Sequence, residues 1–144
     1  MKYNFYGWQD TKVSPVNDKY SKVENPRVLY DMLSNIWCEY SCAPRLRPNW
    51  SKENKTLGQC SITAFLVQDI FGGDVFGIPL ATGGVHCFNV VDGHKFDLAS
   101  EQFGDEVLDY VNVIKQTRDD HFQDKDKYER YKYLWDKLNE LYLN

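Results

Sequence analysis

No run of apolar residues in this chain approaches the length that crosses a bilayer, and its N-terminal stretch shows no apolar segment behind a basic leader. A soluble, cytoplasmic protein is expected, without a membrane partner. Cations are not in excess: 17 Lys and Arg stand against 21 Asp and Glu, a net charge of -4. Only Arg45-Leu46-Arg47 gathers basic residues, so no nucleic-acid partner is expected, because phosphate binding needs a concentrated basic surface. The four cysteines lack the secretory context that favours disulfides and are expected as thiols. Cys38 and Cys42 have a C-x3-C spacing, yet no second short-spaced ligand pair follows, and no metal site is expected. Gly72-Gly73 and Gly83-Gly84 lack the spacing of a phosphate-binding loop, and no internal repeat is present. No cofactor is expected.

What the chain does have is apolar and aromatic bulk. The hydrophobic share of 42%, with ten Tyr, eight Phe and four Trp, supplies the surface that offsets chain entropy in a domain of 144 residues. A single domain over 1–144 is expected. Residues 1–24 read as an irregular arm with Tyr6 and Trp8 as candidate anchors. Asn25-Pro26 is a helix start, and Val28, Leu29, Met32, Leu33, Ile36, Trp37 and Tyr40 recur at helical spacing until Pro44 and Pro48 intervene. Residues 41–55 read as loop. A mostly buried central helix is predicted from near Gly58 to Gly72-Gly73, where glycine permits the left-handed cap. Strands are predicted over Val75 to Leu80, Val85 to Val91 and His94 to Ala99, the last two joined by the hairpin signal Asp92-Gly93. Beyond Phe103 the chain reads as a turn-rich connection or short helix over 105–115, a charged linker over 118–125 and an amphipathic C-terminal helix over 126–143.

The chemistry concentrates in residues 57–103. Cys60 falls at the first turn of the central helix, where the helix end lowers a thiol's pKa. If Asp92 and Gly93 are the two loop residues, Val91 pairs with His94 and Phe88 with Asp97, which makes His86 and Asp97 diagonal neighbours on one face. Their backbones are then about 7 Å apart, a gap that the two side chains can close. Asn89 and His94 fall on the other face with Val85, Cys87, Val91, Phe96 and Leu98, which is expected to pack on a helix. His94 and His121 are expected to lie away from the site, and Cys38, Cys42 and Cys87 to be packing residues. In this arrangement Cys60 is the nucleophile, His86 the base and later acid, and Asp97 the group that orients the ring. The Cys60 backbone N–H supplies half of an oxyanion hole, and Gln59, Asn54 or the Trp50 indole the other half.

The run from Leu57 to Gly73 (LGQCSITAFLVQDIFGG), with His86-Cys-Phe-Asn89, Asp97-Leu-Ala-Ser and Glu101-Gln-Phe103, resembles the YunG-like family of small bacterial proteins. The Cys, His, Asp order is also similar to papain-like and transglutaminase-like cysteine hydrolases, in which a helix bearing the nucleophile lies against an antiparallel sheet bearing the other two residues. That resemblance implies Cys60, His86 and Asp97 as catalytic residues and an α+β fold, a nucleophile-bearing helix on a small antiparallel sheet with flanking N- and C-terminal helices. Papain-like proteases place a glutamine several residues before the cysteine; here Asn54 stands six before Cys60 and Gln59 is adjacent. The expected activity is covalent acyl transfer from a peptide, amide or thioester: hydrolysis, deamidation or transamidation. The alternative is a non-catalytic module that keeps the fold and binds a peptide or protein.

Overall fold

Asn25 and Pro26 act as their types dictate in the computed structural model, which describes residues 2–144. The Asn25 side chain accepts from the N–H groups of Arg27 and Val28 and opens helix α1 (Pro26–Leu33). This helix stops well short of Tyr40. Ser34 Oγ donates to the Tyr30 carbonyl at 2.8 Å and the chain turns, a local competition that serine wins readily at a helix end. Ile36 and Trp37 remain buried outside the helix, and the Trp37 indole donates to Thr63 Oγ1 at 3.0 Å. The stretch expected as loop contains a 3-10 segment, Pro44–Asn49.

Helix α2 (Cys60–Phe71) is followed by strands β1 (Asp74–Pro79), β2 (Val85–Val91) and β3 (His94–Phe96) and, later, β4 (Ile114–Gln116). The four-stranded sheet has the order β3-β2-β1-β4, with each neighbouring pair antiparallel. Positive φ at Asp92 (50°) and Gly93 (82°) makes the tight turn that the Asp-Gly pair signals. The pairs are Val91 with His94, Val90 with Lys95 and Asn89 with Phe96, the register expected from that turn. β3 is shorter than expected because the N-terminal arm takes over at its end: Asp97 N–H donates to the Tyr6 carbonyl at 2.9 Å. β4, in a stretch read as connection, pairs with β1 at the sheet edge. Helix α3 (Arg118–His121), capped by Thr117, occupies much of the expected linker, and α4 (Lys125–Leu138) runs on into a π-helical turn, Asn139–Leu143.

The core lies on one face of the sheet. Ile62, Phe65, Leu66 and Ile70 of α2 are buried with Val75, Cys87 and Val91 of the sheet and with Leu29, Leu33, Leu134 and Leu138 of α1 and α4. Each such side chain contributes roughly 1.5–3 kcal/mol of transfer free energy. Asn89 Nδ2 donates to the Ala64 carbonyl at 2.9 Å, fixing α2 against β2. On the opposite face Ile78, Phe88 and Tyr110 form a smaller cluster. The arm is anchored by Phe5, which is fully buried; Tyr6 is exposed but stacks on Tyr110 with centroids 3.7 Å apart, and Trp8 is half-buried. Among the described residues, no helix is long and apolar enough to cross a membrane.

Candidate active site

The turn before α2 decides where Cys60 points. Gly58 has φ +71°, and a Cβ there would sit 2.5 Å from Cys42 Sγ and 2.7 Å from the Ala43 nitrogen, so glycine alone fits the approach. Gly58 N–H donates to Gln102 Oε1 at 3.2 Å, and Gln59 Nε2 donates to the Cys38 carbonyl at 3.1 Å. With the turn held from both sides, Cys60 becomes the first residue of α2. No side chain caps that helix and its first turn holds no acid, so the positive helix end acts on the Cys60 thiol undiminished.

His86 on β2 and Asp97 just beyond β3 are both buried, with Nε2 2.7 Å from Asp97 Oδ2. The same oxygen accepts from the Tyr110 hydroxyl at 2.7 Å, and Oδ1 accepts from Ala99 N–H at 3.1 Å. Phe103 stands edge-on to the imidazole at 4.7 Å. The ring is therefore fixed in place and tautomer: Nε2 faces Asp97, and the buried Nδ1 has no hydrogen-bond partner, which leaves it open to Cys60.

Both His86 and Cys87 act on the Cys60 thiol. The Cys87 S–H hydrogen bond and then His86 hold Cys60 well below the ordinary thiol range, although burial opposes this. Cys87 moves the other way, pushed well up by the hydrogen bond it gives Cys60 and by burial. Burial disfavours a charged His86, but the Asp97 carboxylate and the Cys60 sulfur override it and raise the ring to about 10. Both shifts run in the direction that favours a thiolate beside an imidazolium.

Cys60 and His86 open on a cleft of about 690 Å³, walled by residues 43–46, Leu80 and residues 82–85, Gln102 and Phe103, and, on the α3–α4 side, His121, Asp124, Lys127 and Arg130. None of the three expected oxyanion side chains lines it. Gln59 is fully buried with its amide committed to Cys38, the Trp50 indole donates to the Lys55 carbonyl at 3.0 Å, and Asn54 lies outside the lining. The Cys60 N–H, at the start of an uncapped helix, remains as a donor. His94 lies away, bonded to Asp10, as expected. His121 does not: it lines the cleft, 3.9 Å from Cys87 Sγ, because α3 folds it back against Phe65. Phe103 figures in the sequence only as part of the family run Glu101-Gln-Phe103, without a role at the site, and Tyr110 not at all; an aromatic thirteen residues past Asp97 in a turn-rich stretch carries no local signal. Among the described residues, no cluster of His, Cys, Asp and Glu is arranged to hold a metal ion.

These features define a small α+β protein with a helix-borne thiol facing a buried histidine–carboxylate pair. The family model described as YunG protein matches residues 25–142, and the chain belongs to that family. A curated relative from Bacillus subtilis (strain 168), named "Uncharacterized protein YunG", is 31% identical over 103 residues, 72% of this chain and 82% of the relative. No solved structure matches the chain.

Proposed function

We propose that this protein is a cysteine hydrolase or acyltransferase of papain-like or transglutaminase-like type, acting on an amide or thioester carbonyl. The observation that carries the reading is the His86 ring, held at 2.7 Å by Asp97 through Nε2 with Nδ1 left free beside the Cys60 thiol. That is the arrangement a thiolate nucleophile needs: one ring nitrogen anchored, the other able to give and take a proton.

In this reaction the Cys60 sulfur forms a bond to the carbonyl carbon, and the carbonyl π pair moves to oxygen. The Cys60 backbone N–H stabilises that oxyanion. As the tetrahedral species collapses, the bond to the leaving group breaks, and His86 Nδ1–H protonates the departing amine or thiolate. Now neutral, His86 takes a proton from water or from an incoming amine, which attacks the thioester and releases Cys60. Water gives hydrolysis or deamidation; an amine gives transamidation. Asp97 never bonds to substrate and keeps the ring in the productive tautomer. A peptidyl vinyl sulfone or acyl thioester probe tests this directly: the expected result is a single covalent adduct on Cys60, absent from Cys60→Ala. A non-catalytic binding module would form none.

A further inference from the structure

Lys127 is held on the cleft wall in an unusual way. Its ammonium is 2.9 Å from His121 Nδ1, while His121 Nε2 is 2.7 Å from Gln116 Oε1. A ring that donates to an amide oxygen from Nε2 and accepts from an ammonium at Nδ1 is neutral, and burial and the Lys127 charge keep it so by lowering its pKa. The ammonium is thereby positioned without being neutralised. Arg45 on the same wall is exposed and, like Lys127, has no carboxylate within ion-pair distance among the described residues. Arg130, the third cation, is different: it is spent on Asp126 at 2.9 Å and on the Ser41 carbonyl at 3.0 Å. The one acid of the lining, Asp124, caps α4 through Lys127 N–H at 3.2 Å and offsets only part of this charge. A protein with a net charge of -4 thus keeps two cations that, among the described residues, pair with no carboxylate in the cleft that holds Cys60.

We propose that this cleft takes an acyl substrate bearing a carboxylate, which the Lys127 ammonium and the Arg45 guanidinium bind while Cys60 receives the acyl group. The proposal rests on the acyl-transfer reading above and adds the substrate's charge. Thiolate and imidazolium cancel each other, so the extra cations set the sign of the local field, and such a field concentrates anions in a walled cleft. A long, positioned ammonium and an exposed guanidinium also suit a flexible carboxylate chain better than a neutral side chain.

The test uses two alkylating probes of nearly equal size, iodoacetate and iodoacetamide, which differ in charge. The ratio of their Cys60 alkylation rates at pH 7 and low salt is compared between the wild-type protein, Arg45→Gln, and the double variant Arg45→Gln/Lys127→Gln. The expected result is a fall in the iodoacetate-to-iodoacetamide ratio of about tenfold in the double variant. Lys127→Arg should retain the wild-type ratio, and 0.5 M sodium chloride should lower it toward that of the double variant. A Cys60 that reacts normally with both probes, at a ratio independent of Lys127 and Arg45, overturns this proposal and leaves acyl transfer standing. A Cys60 inert to both overturns the acyl-transfer reading and this proposal with it.

Discussion

Tyr110 donates its hydroxyl to the same Asp97 oxygen that His86 meets, each at 2.7 Å. The carboxylate is thus shared between the ring it orients and a phenol that belongs to the core on the far side of the sheet, against Phe88. Tyr110→Phe keeps the stacking on Tyr6 and removes only the donor. It is expected to cost about 1–2 kcal/mol, a fall in melting temperature of roughly 3–6 °C. The neutral donor also dilutes the charge that Asp97 presents to the ring, so its loss should raise the His86 pKa further. A titration of the His86 ring resonances by NMR checks the direction; a lower pKa would contradict it.

Asp97→Asn separates orientation from fold. The Oδ1 acceptor for Ala99 N–H survives, but the amide offers His86 Nε2 a donor instead of an acceptor, which favours the wrong ring tautomer. Acyl transfer should fall by about 10⁴-fold and the Cys60 thiol pKa should rise, with the protein still folded. If the variant only lowers the melting temperature and leaves Cys60 reactivity unchanged, Asp97 is a structural residue.

The pH dependence of stability has a definite sign. His86 is raised from 6.5 to about 10, so its contribution is fully present below pH 6.5 and is lost as pH rises through about 10. Cys60 is depressed from 9.0, so its contribution is present above that value and is lost as pH falls through its folded pKa. In urea unfolding, the stability difference between Cys60→Ala and Cys60→Ala/His86→Gln, a pair from which the opposing thiolate contribution is absent, should therefore shrink as pH rises from 6.5 toward 10. A difference that widens over that range contradicts the assignment of the raised ring.

Much of this site is local in the sequence. Asp92-Gly93 fixes the hairpin register, and the register places His86 and Asp97 on one face; Gly58 and the apolar run after it place Cys60 at a helix start. These signals are short-range because turns and caps are decided by a few neighbouring residues. What escaped is long-range or marginal. The three residues of β4 are too few to show a period, and their partner, β1, lies almost forty residues back. The stripe that suggested a helix to Tyr40 is real burial at Ile36 and Trp37, but a turn after Ser34 delivers it. Phe5 outranks Tyr6 as the anchor of the arm because the single bridge at Asp97 sets which side chain points inward. Gln59, an expected oxyanion donor, is turned away because the Cys38 carbonyl claims its amide.

The central claim is that Cys60 is a thiolate at neutral pH. Burial pushes the Cys42 thiol up and Cys60 itself pushes Cys87 up, whereas Cys38 is half-exposed and lowered by Tyr133 against the effect of burial, so Cys38 is the comparison that counts. The most direct measurement is the rate of iodoacetamide labelling at each cysteine between pH 4 and 11, mapped by peptide mass spectrometry in the folded protein. Cys60 should label fastest, with a midpoint well below 9 and a plateau through neutral pH that ends only as His86 titrates near 10. Labelling of Cys60 that is no faster than that of Cys38, or that rises only with the midpoint of an ordinary thiol, would contradict the account.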